Sequence, residues 1–287
     1  MHTALKDKKY QHGGYFAFNI SDPKPRNIHK ASVKDRLLHH ALYRKLYPFF
    51  DRMFIADSYS CRMKKGTHRA LDRFSEFARK VSCNNSKTIC ILKCDIKKFF
   101  ASIDHGVLLN ILNTHVYDKD IISLLRNIVG SFHATKRGKG LPLGNLTSQL
   151  LVNIYMNEFD QYVKHKLKAI YYIRYADDFL IMSSSKAELE SYLIQIRYFL
   201  EDNLLLSLHP HKVSISRFSS GVDFLGWLHF PTYRVLRTVT KRRMLKNLKN
   251  NQKIETSQSY LGMLSHGNTY KIKQNLPILP LAEDGVY

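Results

Sequence analysis

The chain has 287 residues, with 45 Lys and Arg against 23 Asp and Glu, a formal net charge of +22 that asks for a polyanionic partner. With 44% hydrophobic and 12% aromatic residues it can bury a large core, which excludes a mainly disordered protein. No apolar run is long enough to span a bilayer and the opening MHTALKDKKY lacks a secretory h-region, so a cytoplasmic protein with no membrane partner is expected. Cys61, Cys83, Cys90 and Cys94 form no CxxC pair; they are expected to be reduced and mostly in the core, with no zinc site or disulfide framework.

In chain order, Ser21, Asp22, Pro23 and Pro25 mark an early turn, and the N-terminal third otherwise reads as helices and irregular segments. From residue 88 the pattern changes. TICILKCDI is a short apolar run rich in β-branched residues, which suits a buried strand. Asp104 then caps a helix through Val107, Leu108, Ile111 and Leu112. The glycine-rich loop TKRGKGLPLGN leads to Asn145 or Thr147, which opens a helix running to about Lys168. YYIRY and FLIMS form a hairpin with Ala176, Asp177 and Asp178 at its tip, KAELESYLIQIRYFLEDNL is an amphipathic helix, and KVSISRF is a strand. The fold class is therefore α+β, a split βαβ (ferredoxin-like) sheet with helices on one face.

That topology makes the first strand and the hairpin neighbours, so Asp95, Asp177 and Asp178 converge on one edge of the sheet. One Asp at a strand end is ordinarily a turn or a cap. Two adjacent acids between apolar strands, YIRYADDFLIM, serve no folding need. Clustered carboxylates raise each other's pKa and persist as anions mainly around hard divalent cations. Mg²⁺ is the natural occupant, and two ions suit in-line phosphoryl transfer.

Charge is uneven: net +11 over residues 1–80, +4 over 81–230 and +7 over 231–287, as in a clamp around a nucleic acid. Solvated basic faces are the plain alternative for such runs. Lys241, Arg242, Arg243, Lys246 and Lys249, spaced to share one side of a helix, favour phosphate contact.

The Tyr175-Ala176-Asp177-Asp178 box, LKCDIKKFFASIDH, the segment PKPRNIHKASVKDRLLHHAL, Lys212 after the hairpin and the turn Phe224-Leu225-Gly226 together resemble reverse transcriptases, over about residues 22 to 273. The resemblance implies a right-hand polymerase with fingers, palm and a short helical thumb. Residues 1–88 and 107–146 would be fingers, 89–106 and 147–231 palm, and 232–287 thumb and tail. Asp95, Asp177 and Asp178 would be catalytic and, with Ile96, would hold two Mg²⁺ ions, for which Mn²⁺ can substitute. Phe100 would be the steric gate against a 2′-hydroxyl, with Phe99 a core ring facing the opposite way on a strand; Arg26, Lys30 and Arg36 would hold triphosphate or template. Phe224, Leu225 and Gly226 would form the primer grip, beside Lys212 and above or next to Trp227.

Many reverse transcriptases carry Gln-Gly and Ser-Pro where this chain has Leu143-Gly144-Asn145-Leu146-Thr147-Ser148-Gln149. This form, and the tail SYLGMLSHGNTYKIKQNL, resemble the diversity-generating retroelement type, which copies a template-repeat RNA into cDNA with errors at adenines. That subtype implies template RNA, a cDNA or primer strand, dNTPs and a pentameric basic accessory variability protein as partners. About fifteen residues follow the thumb, too few for an RNase H, maturase or endonuclease domain, so a retron or CRISPR-associated reverse transcriptase is the nearer alternative. A binding protein without catalysis is the rival from another class. His209 and His211, flanking Pro210, read as a turn rather than a metal site.

Overall fold

The computed structural model describes residues 1–21, 25–250, 253–274 and 276; Asp22, Pro23, Lys24, Asn275 and the tail 277–287, all within expected motifs, lie outside them. After a short helix α1 (His2–Lys6), a two-stranded antiparallel ribbon, β1 (Tyr15–Ile20) and β2 (Arg26–Ala31), precedes α2 (Val33–Met53) and α3 (Thr67–Val81). The ribbon corrects the expectation of helices and irregular segments alone. Its strand β1 is largely exposed, so it lacks the buried alternation by which strands are recognised.

The central strand β3 (Cys90–Asp95) is followed by α4 (Phe99–Ser102), α5 (His105–His115), α6 (Lys119–Gly130) and α7 (Leu146–Gln161), which continues as one wider turn over Tyr162–Lys166. Then come the hairpin β4 (Tyr172–Tyr175) and β5 (Asp178–Ser183), α8 (Lys186–Leu204) and β6 (Ser214–Arg217). Helix starts are set locally. Asp104 and Asp118 accept amide hydrogen bonds at the starts of α5 and α6, and Ser185 accepts one from Glu188 at α8.

The sheet order is β4-β5-β3-β6, with β3 antiparallel to both β5 and β6. That is the split βαβ arrangement, with α5 to α7 inserted in the first crossover. The expectation of helices on one face is corrected, because both faces are covered. Leu92, Cys94, Tyr172, Phe179 and Ile181 pack with α7 and α8, whereas Ile91, Ile173, Leu180 and Met182 pack with Ala70, Leu71, Phe74 and Phe77 of α3. The reason is visible in the strands, whose nearly continuous apolar runs supply two buried faces. Each large apolar side chain so buried contributes roughly 1.5–3 kcal/mol before entropy is set against it.

A second, three-stranded sheet, β7 (Val222–Phe224), β8 (Trp227–His229) and β9 (Arg234–Leu236), adjoins α3 and leads into α9 (Thr238–Asn250), α10 (Ile254–Leu264) and α11 (Tyr270–Gln274). The cysteines are free, but only Cys94 is buried; Cys61 and Cys83 are exposed, which corrects the expected core placement. Cys61 and Cys83 lie in turns with left-handed φ, where the chain runs over the surface.

Candidate active site

Asp95 ends β3 and stands directly opposite Asp178 in the antiparallel register. Tyr175 pairs with Asp178, so Asp178 begins β5, and only Ala176 and Asp177 form the turn. This shortens the expected tip, and Ala176 takes φ 57°, a left-handed conformation that costs a non-glycine residue about 1 kcal/mol or more. The Ile96 amide donates to the Asp177 carbonyl at 3.2 Å, tying the end of β3 to the hairpin. From beneath, the Arg174 guanidinium donates to the Ala176 carbonyl at 3.1 Å.

Two of the three carboxylates are held against electrostatics. Burial pushes the Asp178 carboxyl up to about 7; Lys93 opposes this, while Asp177, Asp95 and Asp223 add to it. Asp178 Oδ1 is buried and has no hydrogen-bond partner. Burial also raises Asp177, with Asp95 adding to it and Lys212 and Arg26 offsetting part of the rise. Lys212 Nζ donates to both oxygens of Asp95 at 2.9 Å, and Lys93 Nζ lies 3.7 Å from Asp178 Oδ2. Among the described residues no three His, Cys, Asp or Glu side chains are already gathered into a metal cage. The donor chemistry nevertheless fits a hard cation: carboxylate oxygens, one of them orphaned, whose charge is only partly matched by two lysines.

Around this edge, Arg26 on β2 is near enough to Asp177 to lower its pKa, and Lys30 is exposed on the same strand. Arg36 sits on α2, half-buried, with an unpartnered Nε. Phe100 lies on α4, not on a strand, so its difference from Phe99 comes from a helical turn: Phe99 is buried and Phe100 half-buried. Lys98 makes the bend with φ 47°.

The loop 143–149 is fastened to β2. The Leu143 carbonyl accepts from the His29 amide at 2.9 Å; the Asn145 side chain donates to the His29 carbonyl at 2.7 Å and accepts from the Ala31 amide at 3.3 Å. Gly144 has φ 106°, and a Cβ there would come within 2.7 Å of Ile28. Ser148 is buried and Gln149 half-buried in the first turn of α7.

Phe224, Leu225 and Gly226 form the β7–β8 turn, with φ 49° and 85° at its two central residues. Lys93 Nζ donates to the Asp223 carbonyl and so links this turn to Asp178. Lys93 was missed by sequence reasoning. The signal was there, since residues 93 and 95 share a face of the strand. Lys241, Arg242, Lys246 and Lys249 are exposed on α9 and Arg243 is half-buried, while Met244 and Leu248 pack into the core. The structure does not bring these cations to the carboxylates.

Residues 19–229 match the family model described as reverse transcriptase (RNA-dependent DNA polymerase). The chain belongs to the reverse transcriptase family. It is similar to the protein YkfC of Escherichia coli (strain K12), 26% identical over 245 residues, covering 72% of this chain and 63% of YkfC. It is also similar to the group II intron-encoded protein LtrA of Lactococcus lactis subsp. cremoris, 22% identical over 289 residues and covering 77% and 46%. The Retron Ec73 reverse transcriptase of Escherichia coli is 33% identical over 114 residues, covering 35% and 34%. The chain thus spans less than two thirds of each of these relatives. A telomerase structure from Candida tropicalis superposes with a TM-score of 0.62 at 12% identity, covering 84% of this chain and 48% of that one, and shows the right-hand polymerase fold. Among the described residues no helix of this chain is long and apolar enough to cross a membrane.

Proposed function

We propose that the protein is an RNA-directed DNA polymerase whose catalytic groups are Asp95, Asp177 and Asp178. The observation that carries this reading is the pairing of Asp95 with Asp178 beside Asp177, with one carboxyl raised to about 7 and one oxygen left unpartnered. Such an arrangement is costly unless cations are to be held there. Asp95, Asp177 and Asp178, with the Ile96 main chain, would hold two Mg²⁺ ions, or Mn²⁺ in their place. The ions would supply the charge that activates a primer 3′-hydroxyl and stabilises the leaving pyrophosphate. Lys212 and Lys93 keep the carboxylates oriented, and Arg26 with Lys30 meets the triphosphate.

In this reading residues 1–88 and 107–146 act as fingers, 89–106 and 147–231 as palm and 232–287 as thumb. Phe100 crowds the sugar 2′ position, and the Leu225–Gly226 turn holds the primer end. We further propose the diversity-generating subtype, supported by Leu143: an apolar side chain in the loop docked on β2 offers no hydrogen bond to check the templating pair. A template-repeat RNA and a basic accessory variability protein would then be partners. The similarity to the retron enzyme supports a second reading, an accurate retron-type polymerase.

Primer extension on an RNA template with dNTPs and Mg²⁺ tests these readings. Synthesis should fall by about three orders of magnitude or more in Asp177→Ala, with wild-type errors concentrated opposite template adenines. Accurate synthesis would favour the retron-type reading. Undiminished synthesis by Asp177→Ala would overturn the assigned site.

A further inference from the structure

Besides the packing of Met244, Leu248 and Leu264 into the core, polar contacts join the C-terminal helices to the rest of the molecule at two places. The first is the chain itself: β9 runs into α9, where the Arg237 amide donates to the Gly226 carbonyl at 3.1 Å and the Arg237 side chain pairs with Asp223 at 2.9 Å. The second lies beyond α10, in residues 265–269. There the Asn268 amide donates to the Arg234 carbonyl at 2.8 Å, and Arg234 Nε donates back to the His266 carbonyl. Arg234 also pairs with Asp72 of α3 at 3.1 Å, and the His266 ring stacks on His68 of α3 with centroids 3.7 Å apart.

At the centre of this clasp Gly267 lies flat against the Trp227 indole. A Cβ on residue 267 would come within 2.7 Å of Cη2 and 2.9 Å of Cε3 of a ring that is 2% exposed and cannot retreat. Its φ lies outside the left-handed region, so an added side chain is refused by space alone. Trp227 follows the Leu225–Gly226 turn directly and pairs with Phe224 and Leu236. Met244 and Leu248 of α9 and Leu264 of α10 bury these helices against the core that holds Phe74 and Trp227, an apolar contact that sets no direction by itself. The two polar links at residues 237 and 265–269 add direction to that packing, and α10 is bound to α9 through Asn247 and Tyr260 at 2.9 Å.

We propose that Gly267 is a positioning residue for primer–template binding: its contact with Trp227 fixes the angle at which the cations of α9 face a duplex whose end lies at the Leu225–Gly226 turn. This rests on the polymerase reading for the identity of the duplex. A labelled DNA primer on an RNA template provides the test, with Kd from anisotropy read alongside KM, kcat and product length.

Gly267→Ala should raise Kd and KM about fivefold or more and shorten products, while kcat at saturating primer–template stays within about twofold. Adding Trp227→Leu, which removes the opposing ring atoms, should return Kd most of the way to the wild-type value. His68→Ala, at an exposed position, should shift Kd about twofold in the same direction. A wild-type Kd in Gly267→Ala, or a double variant no better than the single one, would overturn the proposal. A loss of kcat and melting temperature together, without a Kd change, would show a purely structural role. If Gly267→Ala does not fold, an unchanged Kd in His68→Ala overturns the proposal instead. Wild-type protein that binds primer–template yet never extends it would count against the polymerase reading while leaving every Kd comparison intact.

Discussion

The β4–β5 hairpin holds two charged groups on opposite faces of one sheet, and they are treated in opposite ways. Arg174 is 1% exposed, yet it meets both Asp160 oxygens at 2.7 Å, with Ser58, Asn153 and the Ala176 carbonyl completing its shell. Tyr172 donates to the same Asp160 at 2.7 Å. Burial works against the guanidinium's charge, and Asp160 outweighs it, holding the pKa above its ordinary value. Asp178, a few residues on, feels three other acids, Asp95, Asp177 and Asp223, against Lys93; it keeps one oxygen without a partner, and burial above all pushes it towards neutrality. Buried charge by itself therefore does not mark a site. Charge left unbalanced is the better pointer, because it can be completed only from outside, by a proton or by a cation.

The strongest test removes the balanced side. Arg174→Ala strands Asp160 and withdraws a donor from the Ala176 turn, and should cost about 3–5 kcal/mol in urea unfolding. A loss under 1 kcal/mol, about that of an exposed ion pair, would mean that the network is not the turn's support.

Asp178→Asn tests the unbalanced side. The folded-state pKa of Asp178 is raised from 3.8 to about 7, so its neutral form contributes stability that is complete below about pH 4 and lost as pH rises through 7. In EDTA the wild type should lose on the order of 2–4 kcal/mol between pH 4 and pH 8, and the Asn variant should lack that slope. Equal melting of the two proteins at pH 8 would refute the shift. Added Mg²⁺ should narrow the gap by binding the wild-type carboxylates.

Farther out, replacing Lys241, Arg242, Lys246 and Lys249 with Gln should lower the salt slope of primer–template binding by up to about 3 log units per decade. Those four side chains are exposed and have no acidic partner among the described residues, so phosphates are their natural counter-charge. An unchanged slope would return them to a solvated face. Smallest of all, Leu143→Gln should reduce errors opposite template adenines a few-fold, at unchanged kcat, by restoring a hydrogen-bonding group to the loop; an unchanged error spectrum removes the support for the diversity-generating reading.

Much of the carboxylate edge was legible in advance. Strand β3, the hairpin, α5 with its Asp104 cap and α8 all follow from periodicity and capping chemistry, which are local, and three acids at strand ends stand out against apolar flanks. Less legible were the β1–β2 ribbon, whose exposed strand carries no burial pattern, and α4, where Lys98 turns the chain so that Phe99 and Phe100 leave the strand. The second cover of the sheet was readable in principle, since a strand apolar on both sides needs two layers. Its partner, α3, could not be chosen from sequence alone.

Sequence by itself determined which residues could form strands and helices, their order, and the presence of three carboxylates at the right ends, because backbone preference and side-chain chemistry act over a few residues. Tertiary structure decided what those carboxylates feel. Lys93 reaches Asp223 across 130 positions, Lys212 reaches Asp95 across 117, and Gly267 meets Trp227 only when two sheets and three helices have packed. Coulomb energy depends on distance and burial, and neither is written in the order of residues along a chain.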